Sequence, residues 1–340
     1  MGDSKERPGT WPTPGRDEHA RLAGPVGSDD EHALVVGEAL VDAVVRADGS
    51  TDRHPGGSPA NVAVGLARLG RDVDLLTWIG ADDDGALLRH HVEGAGVHLV
   101  AGSDGAAHTS VSTAHLDDAG AATYIFDLDW DLPAAPAHRT APPLVVHTGS
   151  IATLLRPGAD AVERELDRYR ATSTLTYDPN LRPSIVGPVK PALRTVQRLV
   201  VMCDVVKVSD QDLAWLLPGD DPADVAARWV RAGPALVVVT LGAAGALAVT
   251  GTGAQVRVDA PQVAVADTVG AGDAFMTGLV DGLWSAGLLG AQRRDDLRAA
   301  PPATIEEIAT RSARIAAITV SRPGADPPTT AELADDRTTS

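Results

Sequence analysis

The chain has 340 residues, 44% of them hydrophobic, so it can bury a sizeable core and is not a disordered protein. Its net charge of −17 argues against nucleic acid as a partner, because phosphate binding needs a basic face. Cys203 is the only cysteine and no apolar run reaches the roughly 18 residues of a membrane helix, so we expect no disulfide framework, no membrane contact and a cytoplasmic location.

Residues 1–31 are polar and rich in Pro and Gly, without the apolar segment of a secretory signal, so we predict a disordered leader. Short apolar runs then recur without polar alternation, which is typical of strands buried on both faces of a parallel sheet. They lie at residues 33–37, 74–80, 144–149, 174–178, 204–208 and 235–242. Amphipathic helical stretches separate them, at residues 59–69, 83–93, 159–171, 190–201 and 222–232. This alternation predicts an α/β fold with an open, mostly parallel sheet and helices on both faces.

Two segments depart from this rhythm, residues 41–54 and 109–129. They alternate polar and apolar residues around the turn signals ADGS and DDAG, a pattern typical of antiparallel hairpins with one solvated face. A small β-sheet of this kind could serve as a lid that excludes water from a site, and the alternative is a pair of edge hairpins without a function. With a last helix predicted to begin near Thr304, we expect one domain over residues 32–335.

The sequence DTVGAGDAF, residues 267–275, opens a long apolar helix. Gly270, Ala271 and Gly272 leave the backbone N–H groups at the start of this helix open to an anion. Asp273 adds a negative charge at the same place. It acts either as the N-terminal cap of the helix or as a general base for a bound hydroxyl group.

A second helix start lies in HPGGSPANVAVGLARLG, residues 54–70. Its small residues, Gly57 and Ser58 among them, would let a ligand approach the backbone, and Asn61 offers both a donor and an acceptor. This combination suits a polyhydroxylated ligand, whereas the alternative is an ordinary capped helix. The chain has no G-x-x-x-x-G-K-[ST] phosphate loop, and GAGDAF lacks the third glycine of a dinucleotide fingerprint.

In their order along the chain, these motifs resemble the two signatures of the ribokinase/PfkB-like sugar kinases, over residues 35 to about 328. GGSPANVAVGLARLG is similar to the N-terminal signature and DTVGAGDAF to the C-terminal one. Between them, WIGADDDG, YDPNLRP, VKVSDQDL and VVTLGAAGALA also have family counterparts. GEALVD, with DPNLR and SRPGADPP, is most similar to the fructokinase and 2-keto-3-deoxygluconate kinase branch.

The resemblance implies a ribokinase-like fold with a lid, and ATP-dependent phosphorylation of a primary hydroxyl of a small sugar, fructose first. Alternatives are 2-keto-3-deoxygluconate, ribose or a nucleoside, and, from a different class, a non-catalytic sugar-binding regulator. Asp273 would be the catalytic base, and Gly270, Ala271 and Gly272 an anion hole for the transferred phosphoryl group. The resemblance further implies Mg²⁺ and K⁺ as cofactors, and a homodimer formed through the lid.

The resemblance also assigns ligand contacts to individual residues. Those of the substrate are Asp42, Gly57, Ser58, Asn61 and Arg182, and those of the nucleotide are Lys207, Ser209, Thr240, Gly242 and Ser312. The family's N-x-x-E magnesium motif reads Ser209-Asp210-Gln211-Asp212 here, which leaves the shorter Asp212 as the magnesium ligand. Backbone carbonyls around Asp267, Val269, Thr319, Arg322 and Gly324 match the family's potassium loop, in which Pro328 replaces a serine of some relatives.

Overall fold

The computed structural model describes residues 31–46, 48–116, 122–134 and 136–335, so the predicted leader lies outside the described residues except for Glu31. The strands, in chain order, are β1 (Ala33–Val36), β2 (Leu40–Val45), β3 (Thr51–Gly56), β4 (Val73–Leu76), β5 (His98–Leu99), β6 (Val111–Leu116), β7 (Ala122–Asp127), β8 (Val145–Gly149), β9 (Thr174–Asp178), β10 (Val205–Ser209), β11 (Leu236–Thr240), β12 (Ala246–Thr250) and β13 (Gln255–Val258).

The helices are α1 (Ser58–Arg68), α2 (Asp83–Gly94), α3 (Gly158–Tyr169), α4 (Pro183–Val186), α5 (Val189–Met202), α6 (Asp210–Leu216), α7 (Pro222–Ala232), α8 (Ala271–Ser285), α9 (Arg294–Arg298), α10 (Pro302–Val320) and α11 (Thr330–Asp335). Short 3-10 turns lie at Ser150–Thr153, Gly242–Ala244 and Ala291–Arg293. Within the described ranges, none of the helices combines the length with the apolar character that crossing a bilayer requires.

A nine-stranded sheet in the order β13-β12-β11-β10-β9-β8-β1-β4-β5 forms the body of the described chain. In this spatial order, each strand from β11 through β10, β9, β8, β1 and β4 to β5 pairs in parallel with the next one. This pairing confirms the predicted mostly parallel sheet. At one edge, β11, β12 and β13 pair antiparallel. The strands β12 and β13 were not predicted, because a tight turn joins them as a hairpin, whereas the predicted strands are separated by helices.

The strand β1 is a short run of Ala, Leu and Val that is buried on both faces, and β8 is equally buried although it contains His147 and Thr148. One face packs against α1, α8 and α10, with Met276 and Leu279 of α8 fully buried there. The other face packs against α3, α5 and α7, with Leu166 and Leu199 fully buried. Each such side chain stabilises the fold by about 1.5–3 kcal/mol, so both layers hold the sheet in place.

Four strands form a second, smaller sheet in the order β3-β2-β6-β7. The two predicted hairpins are both present, and β2 pairs in parallel with β6, so they join side by side. The turn of the second hairpin, residues 117–121, lies outside the described residues. Gly57 links β3 to α1 with φ +102°, and a Cβ atom there would lie 2.5 Å from the carbonyl oxygen of Glu38. Only glycine therefore fits where the small sheet meets α1.

Several predicted boundaries differ from the structure by one or more residues, and two of the differences have a clear physical cause. The strand expected over residues 74–80 ends at Leu76, because the N–H group of Ile79 donates to the carbonyl of Ser103 instead of continuing the sheet. The last long helix begins at Pro302 rather than near Thr304, and proline is favoured at a first helical position.

The order of the strands creates a crevice beside β1. From β1 the chain passes to β4 and β5 on one side, and it later returns to β8 and β9 on the other. Loops that leave β1 and β8 at their carboxyl ends therefore diverge, and ligands of open α/β sheets bind at such a switch point. The start of α8 lies at this crevice, because its side chains contact the loop after β9 and the start of α1.

Candidate active site

Asp273 is the third residue of α8 and is only 6% exposed. Its Oδ1 accepts hydrogen bonds from Ser58 Oγ at 2.7 Å and Asn180 Nδ2 at 3.2 Å, and its Oδ2 accepts one from Asn61 Nδ2 at 2.8 Å. All three donors belong to other elements, and the N-terminus of α8 has no side-chain cap. The alternative in which Asp273 merely caps its own helix is therefore wrong.

The first turn of α8 has the backbone geometry of an anion site. Gly270 has φ +76°, and a Cβ atom there would lie 2.6 Å from the Cβ atom of Ala325. The amide of Ala271 donates to the carbonyl of Thr268 at 3.3 Å, and the first bond of the helix runs from Ala274 to Gly270. The N–H groups of Gly272 and Asp273 lie between these two bonds, where a helix leaves its amides open to an anion.

A buried ion pair lies against this turn. Lys207 Nζ is 2.8 Å from Asp178 Oδ2, and the side chains are 2% and 1% exposed. Burial raises the pKa of Asp178 to about 6, and the Lys207 ammonium opposes that rise. A Cβ atom on Gly272 would lie 2.8 Å from Lys207 Nζ, so the missing side chain brings the ammonium group against the open amides.

Asp42, on β2, lies at the junction between the small sheet and α1. Burial raises its pKa, while a hydrogen bond with Ser112 and the charge of Arg182 oppose the rise. A Cβ atom on Gly56 would lie 2.4 Å from Asp42 Oδ2, so the carboxylate rests against the end of β3. Since Gly57 follows directly and α1 begins at the next residue, the structure brings Asp42 close to the predicted substrate residues Ser58 and Asn61.

Sequence reasoning missed two polar residues of this crevice, Asn180 and Glu38. Asn180 has φ +36°, which asparagine tolerates better than most residues, and the sequence Asp-Pro-Asn at the end of a strand was the available signal. Glu38 is 3% exposed, and its Oε2 accepts the N–H group of Ala152 at 3.1 Å. Burial raises the pKa of Glu38 to about 7, although a hydrogen bond with Ser150 favours its ionised form.

The predicted nucleotide and magnesium residues are only partly brought together. Ser209 caps α6 in a capping box with Asp212, whose other oxygen accepts the N–H group of Leu181 at 2.9 Å. Ser209 and Thr240 end neighbouring strands, β10 and β11, at the carboxyl edge of the sheet. Ser312 does not reach that edge, because it is fully buried and its hydroxyl donates to the carbonyl of Ile308 at 2.8 Å.

The segments predicted to hold potassium lie next to each other. The Asp267 carboxylate accepts the N–H groups of Val269 at 3.0 Å and Gly324 at 2.9 Å. Arg322 donates its N–H group to the carbonyl of Thr319 at 3.1 Å. In the part of the chain that the structure describes, no group of three or more His, Cys, Asp or Glu side chains is placed to hold a metal ion. Potassium binding by backbone carbonyls stays a prediction.

Known proteins resemble this chain over most of its length. Residues 30–332 match the pfkB family carbohydrate kinases. The fructokinase of Salmonella typhimurium is 33% identical over 268 residues, which are 75% of this chain and 85% of that protein. A fructokinase from Xylella fastidiosa, solved with bound ATP, has the same fold, with a TM-score of 0.76 at 24% identity over 92% of this chain and 100% of that one.

A further solved structure contains a sugar and a nucleotide together. It is a fructokinase double mutant from Vibrio cholerae O395 with fructose, ADP and a potassium ion bound. Its TM-score is 0.72 at 26% identity, over 90% of this chain and 98% of that one. The family match and the curated relative confirm the resemblance that the two sequence motifs indicated. This chain belongs to the pfkB family of carbohydrate kinases.

Proposed function

We propose that this protein transfers the γ-phosphoryl group of ATP to a primary hydroxyl group of fructose. The observation that carries the proposal is the Asp273 carboxylate, which three side chains from other elements hold beside the open amides of α8. The names of the curated relatives and the fructose bound to the Vibrio cholerae protein support the choice of sugar.

Asp273 would accept the proton of the sugar hydroxyl while the hydroxyl oxygen attacks the γ-phosphorus and the bond from phosphorus to the ADP oxygen breaks. The glycine turn, Gly270 to Gly272, would stabilise the negative charge of the moving phosphoryl group through the open N–H groups of Gly272 and Asp273, since the Ala271 amide is bonded to Thr268. Lys207 adds a positive charge at the same turn. Together these groups supply the positioning and charge stabilisation on which phosphoryl transfer depends.

The sugar would bind between the small sheet and the start of α1. Asp42, Ser58 and Asn61 offer acceptors and donors, as hydroxyl groups need both, and Gly57 lets the sugar approach the backbone. The small sheet would act as the lid, which keeps water away from the phosphoryl group when it closes over the sugar.

The charges of the crevice favour a neutral sugar over a keto-acid. Burial raises the pKa values of Glu38 and Asp42, and Arg182 is the guanidinium group that opposes the rise at both. Arg182 Nη1 already donates to Asn180 Oδ1 at 2.7 Å. A substrate carboxylate would therefore enter a site with more carboxylates than free cationic groups. A non-catalytic sugar binder is disfavoured because it has no use for Lys207 and open amides beside the base.

ATP would lie along the carboxyl edge of the sheet, past Ser209, Thr240 and Gly242. Magnesium enters as part of the nucleotide substrate. Asp212 keeps unshared lone pairs beyond its capping bonds and would contact that ion through water. The carbonyls of the segments that contain residues 267–269 and 319–324 would hold potassium, because hard cations prefer oxygen ligands.

A coupled ADP-release assay tests the proposal with fructose, ribose, 2-keto-3-deoxygluconate and adenosine as acceptors. We expect the highest kcat/KM with fructose. The Asp273→Asn variant, purified identically, controls for contaminating kinases and should release little ADP. Equal ADP release by the variant, or a higher kcat/KM for the keto-acid or the nucleoside, would contradict the proposal.

A further inference from the structure

Asn180 lies between a guanidinium group and the Asp273 carboxylate. Its Oδ1 accepts a hydrogen bond from Arg182 Nη1 at 2.7 Å, and its Nδ2 donates to Asp273 Oδ1 at 3.2 Å. Arginine has donors only, so the amide oxygen must face Arg182. The amide nitrogen then necessarily faces Asp273. Arg182 thus fixes which end of the amide meets the carboxylate.

The backbone beneath this amide is held independently of the side chain. Asn180 has φ +36°, an unusual value for a residue other than glycine. The next residue, Leu181, is buried and donates its N–H group to Asp212 Oδ1 at 2.9 Å. Asp212 is in turn fixed by its capping box with Ser209. The loop after β9 therefore presents Asn180 to the crevice whether or not Arg182 is present.

Arg182 Nη1 is fully engaged within its own loop. Besides the side-chain oxygen of Asn180, it contacts the carbonyl oxygens of Asn180 at 3.2 Å and Leu181 at 3.0 Å. Three acceptors on one guanidinium nitrogen hold that edge of the group in place. This edge of Arg182 serves the loop and is not available to a substrate.

The hydrogen bonds divide the two oxygens of Asp273. Oδ1 accepts from both Ser58 and Asn180, whereas Oδ2 accepts, among the residues that the structure describes, from Asn61 alone. A carboxylate oxygen has two lone pairs in its plane, so Oδ1 is saturated and Oδ2 keeps one. The free lone pair on Oδ2 is the one that can take a proton from a sugar hydroxyl.

We propose that Arg182 is a positioning residue that acts through Asn180: it orients the amide so that Asp273 Oδ1 is saturated and Oδ2 is the proton acceptor. This inference rests on the proposed function and gives Arg182 a role other than the substrate contact that the sequence implied. Asn180 donates a hydrogen bond to Asp273, whereas within the described residues Arg182 donates only to Asn180 and to the carbonyl of Leu181 in its own loop.

A double-mutant cycle tests the proposal, because residues that act in series are not additive. We expect Asn180→Ala and Arg182→Ala each to lower kcat about tenfold, the size of one lost hydrogen bond, with the KM for fructose changed less than about threefold. The double variant should also lose about tenfold. A loss of roughly a hundredfold, or a rise confined to KM, would overturn the proposal.

Two further variants separate positioning from loss of charge or of fold. Arg182→Lys keeps a donor for Asn180 Oδ1 and should recover part of kcat. Arg156→Ala removes an exposed arginine that pairs with Asp160, and it should have unchanged kcat. An Arg182→Lys variant with no more activity than Arg182→Ala, or a loss of kcat in Arg156→Ala, would contradict the proposal.

The side-chain amide signals of asparagine give a readout that needs no turnover. In protein labelled with ¹⁵N-asparagine, Asn180 is assigned by its absence from the Asn180→Ala spectrum. Its signals should shift in Arg182→Ala and in Asp273→Asn, but not in Arg156→Ala. Signals that stay in place in Arg182→Ala would refute the positioning role. If the unaltered protein shows no fructose turnover but the signals shift as expected, the proposed function is refuted and the positioning role of Arg182 still stands.

Discussion

The ammonium group of Lys207 lies 2.8 Å from the carboxylate of Asp178, and both side chains are almost completely buried. They occupy neighbouring parallel strands, β10 and β9, on the face of the sheet that α8 covers. Asp178 Oδ1 has no hydrogen bond within the described residues. The cost of removing two charges from water can exceed the energy gained from their attraction, above all when one carboxylate oxygen lacks a hydrogen bond. We therefore infer that the pair serves the function of the adjacent turn of α8 rather than the stability of the core.

Lys207→Met should therefore separate stability from activity. The single variant leaves Asp178 buried and unpaired, so we expect the free energy of unfolding to fall by about 3–5 kcal/mol. The double variant Lys207→Met, Asp178→Asn removes both charges and should regain most of that stability. Both the single and the double variant should lack turnover, because the cation beside Gly272 is absent from each. Urea denaturation and the ADP-release assay measure the two effects.

The opposite pattern would contradict this interpretation. If the double variant regains turnover together with its stability, the ion pair serves the fold alone. If the single variant is as stable as the unaltered protein, Asp178 is protonated in the folded state and does not depend on Lys207.

Replacing Asp273 tests the base itself. Asp273→Asn keeps the shape of the side chain but cannot accept the proton, so kcat should fall by about 10²–10⁴ while fructose still binds. Asp281, on the same helix, is the matched control, because it is buried against Arg71 and Arg311 away from the crevice. Asp281→Asn should lower the melting temperature and leave kcat of the folded enzyme nearly intact. Near-normal turnover of Asp273→Asn would show that the carboxylate has a structural role.

Much of this site was predictable because its parts lie in local motifs. Ser58, Asn61 and Asp273 each follow a glycine pair or turn at a helix start, and the structure places their side chains in contact. Asn180 was not predicted, because its role depends on a positive φ and on the orientation that Arg182 gives its amide. Neither property is visible in a hydrophobic pattern.

The same limit applies to the fold. Buried runs of Val and Leu revealed the parallel strands, since burial on both faces leaves a continuous apolar pattern. The pairing of Lys207 with Asp178, 29 residues apart, depends on which strands become neighbours. Sequence patterns show where strands lie far better than they show which strands are neighbours. A charged residue inside a predicted strand therefore indicates that it has a partner of opposite charge, but it does not identify that partner.

Glu38 gives the protein a measurable pH dependence. Its pKa is raised by burial from 4.5 to about 7, so the folded state holds the proton more tightly than the unfolded state. The stability from this group is present in full below pH 4.5 and is lost as the pH rises towards 7. His147 has the opposite effect on stability. Burial lowers its pKa from 6.5 to about 3, so the folded state favours the neutral imidazole, and the contribution of this group to the free energy of unfolding is lost as the pH falls below 6.5.

Comparison of the unaltered protein with Glu38→Gln isolates the glutamate, since His147 is the same in both. Between pH 5 and pH 8 the unaltered protein should lose about 2–3 kcal/mol of unfolding free energy relative to Glu38→Gln. Urea denaturation at four pH values in this range measures the difference. Parallel pH curves for the two proteins would show that Glu38 is ionised in the folded state at pH 5.

The small sheet should close when the sugar binds. Amide hydrogen exchange in β2 and β6 should slow at saturating fructose, because these strands carry Asp42 and its partner Ser112. Exchange in β12, which is next to the edge strand β13 of the large sheet, serves as the internal control and should not change. With Asp273→Asn the slowing should persist, since that variant still binds the sugar. Unchanged exchange in β2 and β6 at saturation would favour edge hairpins without a function.

The outer strand of the small sheet should form the contact between two copies of the chain. Within the described residues β7 pairs only with β6, and its Tyr124 and Ile125 side chains are 59% and 56% exposed. An apolar edge strand of this kind pairs readily with a second copy, which would give the homodimer that the sequence implied. Ile125→Asp should yield a monomer in size-exclusion chromatography with light scattering. Val201→Asp changes an apolar residue of similar exposure, 48%, on α5 and should leave the dimer intact. A monomeric unaltered protein, or a dimer that only Val201→Asp disrupts, would contradict a contact through the small sheet.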